Sequence, residues 1–449
     1  MNNRRSGFVH HLIVLFAFLF SMEVSWGQKQ PAADTALTLD DCISYALKHQ
    51  PALNQSLINT AIVRTTNSIA LSGWLPQVSV AGNLTHYNTL PTSFVNSNGT
   101  ILTQKTGVVN TFGPTLTATQ TIFNPSLLYA AKSAHLYVEQ AQQITDSTKI
   151  NIVAGVSKTF YSLLLTLQQI DVLREDTARL NKNLHDTYHQ YVSGIVDETD
   201  YDEAKIELNN SMAQLKQAEE SITPQYATLK QVMGFPPQDQ FNVLYDTARM
   251  TKDIDFDTAQ ALQYEKRIEF QQIQTDKRLQ SQLVNYYRQA WIPTLGAFFD
   301  YDYAFQSNSF GSLFSSSYPY SYIGLSVSVP IFTGFARTNN IKKARLQYQL
   351  LDWSEVALRS EIYTEYATAM GNYKGNLYNL TFMRDNVSLA KKTYDIVYLQ
   401  YQQGVVAYLN VITAESNLVS SEINYINALF QLLSSKIDLE KALGIIPVK

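Results

Sequence analysis

His185 and His189 stand four residues apart, which sets two imidazoles on one helix face at a spacing able to chelate a metal ion. Asp186 occupies the place where a zinc protease needs glutamate, and no third ligand accompanies the pair. Ordinary exposed helix histidines account for them as well. Cys42 is the single cysteine, which excludes an intramolecular disulfide and a cysteine-rich metal site. The sequence holds no glycine-rich phosphate loop, no Gly-x-Ser-x-Gly elbow and no cysteine-nucleophile signature. It therefore predicts no enzyme, no cofactor, no metal centre and no energised motor. What remains is an acidic run, Asp197, Glu198, Asp200, Asp202 and Glu203, just after Ser193-Gly194-Ile195-Val196. Carboxylates crowded like this create a local field that favours cations, or they complement the positive end of a helix start.

The elements that carry this run occur twice. Trp74-Leu75-Pro76 recurs as Trp291-Ile292-Pro293, 217 residues on, and Pro51-Ala52-Leu53 faces Ile268-Glu269-Phe270 at the same separation. Thr121-Ile122-Phe123 recurs as Pro330-Ile331-Phe332 after 209 residues. Gln190-Tyr191-x-x-Gly194 recurs as Gln400-Tyr401-x-x-Gly404 after 210, as do Ala204 with Ala414, Leu208 with Leu418 and Gly234 with Gly444. The first repeat covers 28–234, a linker 235–256, and the second repeat 257–449. Each opens with a helical stretch, 39–73 and 257–290, stopped by the proline of the Trp-x-Pro motif. Long helices follow, over about 126–232 and about 334–445. From Ser126 to Ser193 no proline intervenes, so one helix there would run roughly 100 Å.

Between the short and long helices lie two hairpins, about 77–123 and about 294–332, in which polarity alternates with period two. Leu295, Ala297, Phe299, Tyr301, Tyr303 and Phe305 take one parity; Thr294, Gly296, Asp300, Asp302 and Gln306 take the other, with Phe298 as the exception. Ile323, Leu325, Val327 and Val329 alternate with Gly324, Ser326 and Ser328. Runs of about ten residues match a tilted strand crossing a bilayer. Tyr301, Tyr303 and Phe305, together with Tyr318, Tyr320 and Tyr322, read as aromatics at the membrane interface. Four strands cannot close a pore, and open edges are not tolerated in lipid, so the pattern predicts closure by several copies.

Composition agrees. The formal charge of −4 and the lack of a basic run exclude nucleic acid as a partner. Arg4 and Arg5, the apolar run Leu12 to Phe20, and small residues Ser25 and Gly27 describe a signal peptide over 1–27, cleaved before Gln28. No other uninterrupted apolar run is long enough for a spanning helix, so a membrane crossing would be a barrel. Cys42 lies too far from the cleavage point for a lipid anchor.

The order Leu37-Thr38-Leu39-Asp40-Asp41-Cys42-Ile43, Pro51-Ala52-Leu53, twin Trp-x-Pro motifs, twin Tyr-x-x-Gly turns and glycine ends at 234 and 444 resembles the TolC family of outer-membrane channels. The resemblance spans the mature chain. It implies an α+β membrane protein: a homotrimer whose transmembrane β-barrel takes four strands per chain, continued by a long periplasmic α-helical barrel built from two internal repeats. An equatorial belt would use 235–256 and both termini. The partners implied are outer-membrane lipid, a periplasmic membrane-fusion adaptor and an inner-membrane pump of RND, ABC or MFS type, in efflux or type I secretion. Adaptor contact would fall on Gly194, Ile195, Val196, Gly404, Val405 and Val406. A pore constriction would use Asp197, Thr199, Asp200, Glu203, Tyr401 and Asn410, and lipid would meet Phe299, Tyr301, Tyr303 and Phe305. The second tip departs from the family pattern, with Val406, Asn410 and Thr413 where charged residues are usual. The alternative is a periplasmic coiled-coil structural or adhesin-like protein without a pore, which has no use for two membrane-length hairpins.

Overall fold

The computed structural model describes residues 36–97, 100–244, 254 and 256–447. The signal peptide expected at 1–27, and residues 28–35, 245–253 and 255 of the expected belt, lie outside them. Strand β1 (Ala36–Leu37) leads into helix α1 (Leu39–His49), which Thr38 caps: its hydroxyl accepts from the Asp41 amide at 3.2 Å while the Asp41 carboxylate accepts from the Thr38 amide at 3.0 Å. Gln50 is extended and Pro51 starts helix α2 (Pro51–Leu71). The stretch 39–73 read as one helix is therefore two, because a residue before proline is driven out of the helical region. Its counterpart is also shorter than expected. Helix α5 spans Ile268–Gln289, and residues 257–267 are irregular apart from one tight turn at Tyr264–Lys266.

Strands β2 (Gln77–His86), β5 (Asn110–Phe123), β7 (Thr294–Ser307) and β8 (Ser317–Ser328) form one antiparallel sheet in the order β2-β5-β7-β8. A separate hairpin, β3 (Thr92–Ser97) with β4 (Thr100–Lys105), fills the connection that the sequence offers only as a turn-rich loop. Below the sheet run α3 (Pro125–Val192), α4 (Glu198–Met233), α6 (Ala336–Gln402) and α7 (Tyr408–Leu443), of 68, 36, 67 and 36 residues. Strand β6 (Asn242–Val243) pairs in parallel with β1, tying the linker to the start of the chain.

Helix α3 is the spine. Its upper half is flanked by α2, through Asn67 to the Ala134 carbonyl at 2.7 Å, and by α5, through Gln140 to Asp276 at 2.6 Å. Its lower half is flanked by α4, through Thr177 and Ser211 at 3.0 Å, and by α7, through Gln169 to Asn427 at 3.2 Å. Helix α6 mirrors α3 and is flanked mainly by its own repeat, by α5 above, through Gln280 to the Ala344 carbonyl, and by α7 below, through Asn376 to the Gln431 carbonyl, and it meets α3 near the tip, where Tyr398 donates to Asp186 at 3.2 Å. By length and composition α3 could cross a bilayer, yet 56% of its most apolar stretch is buried inside the chain. It is a core helix. The largest core cluster gathers Cys42, Ala46, Leu53, Phe160, Leu163, Leu229, Met233, Tyr373, Leu432 and Leu439 where both repeats meet.

The repeats also end alike. Gly234 and Gly444 close α4 and α7 with φ of 69° each, the left-handed geometry that glycine adopts without penalty. The Gln50 side chain donates to the Val232 carbonyl at 2.7 Å, and Arg267 donates to the Ala442 carbonyl at 3.0 Å. These are equivalent residues binding equivalent carbonyls. A Cβ on Gly234 would lie 2.8 Å from Gln50 Cα, and one on Gly444 would lie 2.7 Å from the Lys266 carbonyl oxygen. Gly194 has φ of 72° but nothing within 4 Å of its Cβ position. We expect Gly234→Ala and Gly444→Ala each to cost about 1–3 kcal/mol and Gly194→Ala visibly less. Thermal unfolding of the purified protein measures this; equal losses at all three sites would contradict the close-packing account.

Candidate functional site

The sheet separates two chemistries by parity. Val78, Val80 and Leu84 of β2, Phe112, Leu116 and Ala118 of β5, and Phe299, Tyr301, Tyr303 and Phe305 of β7 lie on one face, joined by Ile323, Leu325 and Val327 of β8. Ile323 is 80% exposed in the single chain. Such an apolar face suits lipid rather than water. On it Phe305 stacks beside Phe112 at 6.2 Å between centroids and meets Phe314 edge-on at 5.3 Å.

The opposite face is polar. Thr115 donates to Asp302 at 2.7 Å and Thr117 to Asp300 at 2.6 Å. Directly across β7 from β8, Tyr320 stands opposite Asp302 and Tyr322 opposite Asp300. Tyr318, Tyr320 and Tyr322 thus share the carboxylates' face. They therefore do not join the interface aromatics Tyr301, Tyr303 and Phe305, because the period-two register turns them to the opposite face. Phe298 shares that face too, with its ring over Gly324, where a Cβ would sit 2.5 Å from it. The strand's one parity exception fills a gap left by glycine.

At the other end the two tips are twins. Gly194 and Gly404 both have φ of 72°, and the following amides, Ile195 and Val405, reach back to the Gln190 and Gln400 carbonyls at 2.9 Å each. Ile195 is 72% exposed and Val405 66%, while Val196 and Val406 are half-buried. Each tip therefore presents bare apolar side chains, Val192 with Ile195 and Val405 with Leu409, beside an uncovered glycine. Asp197 is the N-cap residue of α4, and Glu198 and Asp200 sit in its first turn. Asp197 and Thr199 are exposed, Asp200 and Glu203 half-buried, and Asn410 of the second tip exposed. Tyr401 differs from the sequence expectation. It is buried in the tip's own core with Ala204, Tyr394, Tyr408 and Leu418, and its hydroxyl donates to Gln190 Oε1 at 2.7 Å. Any narrowing it causes acts through packing between α6 and α3, not through an exposed ring. His185 and His189 do meet, with ring nitrogens 3.0 Å apart, but no metal-binding group of three exists among the described residues.

One polar cluster escaped the sequence reading. Glu415 of α7 and Asp176 of α3, both almost fully buried, share the guanidinium of Arg179, with Nε 3.2 Å from Glu415 and Nη2 3.5 Å from Asp176. Asn183 donates to Glu415 at 3.0 Å, and Ser211 of α4 donates to Asp176 at 2.6 Å. A cavity of about 140 Å³ lies alongside, lined by Asp176, Glu207, Ser211, Glu415 and Ser416. The cluster binds both repeats together above the tips. The only trace in sequence is Glu415 among Val411, Ala414 and Leu418 on an otherwise apolar stripe.

Burial, with Asp176 nearby, pushes the Glu415 carboxyl up to about 7 despite Arg179 and Asn183. Because the packed form holds this proton more tightly than the unfolded chain, with its ordinary value of 4.5, the group's stabilising contribution is full at low pH. It is lost as pH rises from the ordinary value through about 7. Glu415→Gln should match the parent near pH 4.5 and exceed it at pH 8 by on the order of 2–3 kcal/mol. Unfolding of both proteins across that range is the check; parallel curves would remove this assignment.

Comparison with known proteins agrees with this geometry. The family model described as outer membrane efflux protein matches residues 42–235 and 260–445, one match per repeat. Outer membrane protein TolC of Vibrio cholerae is 22% identical over 334 residues, covering 72% of this chain and 75% of that one. The solved structure of the outer membrane protein VceC from Vibrio cholerae superimposes with a TM-score of 0.70 at 18% identity, over 90% of this chain and 96% of its own. The CmeC outer membrane channel of Campylobacter jejuni gives 0.72 at 16% identity, over 94% and 90%. With its duplicated helices, its four-stranded sheet and a family match over most of its length, this chain belongs to the outer membrane efflux protein family, the channel proteins of the TolC type.

Proposed function

We propose that three copies of this chain form a passive exit duct that an inner-membrane pump loads through a periplasmic adaptor. The observation that carries the reading is the open sheet. Among the described residues, strands β2 and β8 each pair on one side only, while the apolar face continues to both edges. In hydrocarbon each unpaired backbone amide or carbonyl costs several kcal/mol, so such a sheet is incomplete alone. Three copies supply twelve strands. The apolar face, with Phe299, Tyr301, Tyr303 and Phe305, then meets lipid, and Asp300 and Asp302 face the lumen.

The twin tips support the second half of the reading. Gly194 with Ile195 and Val196, and Gly404 with Val405 and Val406, offer an adaptor two equivalent knobs, each with backbone accessible at the glycine. The pump, of RND, ABC or MFS type, provides the energy for efflux or type I secretion. Asp197, Thr199, Asp200 and Glu203 of the first tip, with Asn410 of the second and Tyr401 behind them, form the constriction. Tripled around an axis, the carboxylates give a field that favours cations.

Purified protein in planar bilayers should conduct without any energy source and prefer cations, and Asp200→Ala should weaken that preference while leaving conduction intact. Reversal potentials in a salt gradient measure it. Unchanged selectivity would remove the acidic ring, and absence of any conductance would remove the duct.

A further inference from the structure

One motif takes no part in the duct proposed above. His185 and His189, in the last two turns of α3, meet through their Nε2 atoms at 3.0 Å, with the ring planes at 89°. Their spacing puts them on one helix face but does not require that contact; the side-chain positions supply it.

The fold keeps this pair in the open. The lower half of α3 is covered by its own chain on three bearings. Thr177 meets Ser211 of α4, Gln169 meets Asn427 of α7, and near the tip Tyr398 of α6 meets Asp186. Ala178, Asn181, His185 and His189 follow one another at three- and four-residue spacing along the side left over, and all four are exposed. Because α3 is flanked within its own chain, a ring of copies leaves that side free. The second repeat has Asp395 and Leu399 at the equivalent positions, so the pair occurs once per chain.

We propose that His185 and His189 together hold one divalent transition-metal ion, copper(II) or nickel(II), with water in its remaining positions. The separation of the rings argues for it. Two imidazole nitrogens about 2.05 Å from a shared metal lie roughly 2.9 Å apart at a right angle and roughly 3.3 Å apart at the tetrahedral angle. The observed 3.0 Å falls near the right angle. That is the angle between neighbouring ligands in the tetragonal sites that copper(II) and nickel(II) favour with nitrogen and oxygen donors. Without an ion, one ring must donate its Nε2 hydrogen to the other. On binding, that ring carries its hydrogen on Nδ1, and both Nε2 lone pairs turn to the metal. The expectation of no metal centre rested on the missing third protein ligand, which a site completed by water does not need.

The surroundings favour a cation. Asp186 follows His185, and Tyr188 packs on Tyr201 at 5.5 Å, which brings the acidic start of α4 alongside. Lys182, one turn earlier, turns its ammonium over the Tyr398 ring at 5.7 Å. An ion held by both rings ties together residues one full turn apart. It therefore pins the end of α3 that leads into Ser193 and Gly194, and that end should open less often.

The test uses the protein in detergent, purified without a histidine tag and titrated with copper(II) chloride or nickel(II) chloride in a calorimeter. One ion should bind per chain. His185→Ala and His189→Ala should each weaken binding by about a hundredfold, because the second imidazole no longer acts at high effective concentration. His135→Ala removes an exposed histidine from the upper half of the same helix and should change nothing. Electron paramagnetic resonance of the copper-loaded protein should show coupling to two imidazole nitrogens. Nickel should slow amide hydrogen exchange over 186–194 in the parent and not in His189→Ala. Undiminished binding in either single variant, or a copper spectrum with fewer than two imidazole nitrogens, overturns the site. The site and the duct fail separately, since conductance of metal-free protein tests only the duct.

Discussion

The fold depends on one requirement, that every backbone amide and carbonyl inside a membrane find a partner. Four strands meet it only at their interior. Among the described residues, β5 and β7 are paired on both sides, whereas β2 and β8 each leave a row of donors and acceptors free. The apolar residues that make the sheet suited to lipid also forbid it from resting there alone. The helices show the same incompleteness without the same urgency. Helix α6 has partners on one flank, and its other flank carries Leu346, Leu350, Trp353, Tyr378, Phe382 and Leu389 exposed. In water this is an apolar stripe seeking cover, and it continues from the strand with the same need.

Duplication explains how a single sequence satisfies that requirement. A unit of short helix, hairpin and two long helices packs against its copy through β5 and β7 above and α3 below. The two copies are then free to diverge wherever the shared scaffold is not at stake. The scaffold positions stay matched, as in Gly234 with Gly444 and Gln50 with Arg267. The tips differ, since the first is acidic and the second neutral, with the buried Tyr401 and Tyr408 behind it. The ionic cluster of Asp176, Arg179 and Glu415 occurs only between halves of one chain, because Leu389 stands at the position equivalent to Arg179.

Much of this was legible in the sequence, for definite reasons. Period two in Leu295 to Phe305 survives because one face of a membrane strand must be apolar, and the spacing of Trp-x-Pro, Tyr-x-x-Gly and the terminal glycines survives because each sits at a turn that little else can make. The long helix was bounded to within one residue at either end by Pro125 and Gly194. The hairpin β3–β4 was hidden, since exposed Phe94 and Ile101 interrupt polar neighbours without forming a one-sided stripe. The face of Tyr320 and Tyr322 was not legible from their aromatic character, because it is set by their pairing opposite Asp302 and Asp300. The Glu415 cluster was out of reach, since it joins residues more than 230 positions apart on helices whose lateral order the sequence does not state.

The central claim is that one chain is a third of a barrel. Native mass spectrometry of the protein released from detergent micelles tests it directly. The account predicts one dominant species of three chains. A dominant species of a single chain, from protein extracted intact from the outer membrane, would contradict it.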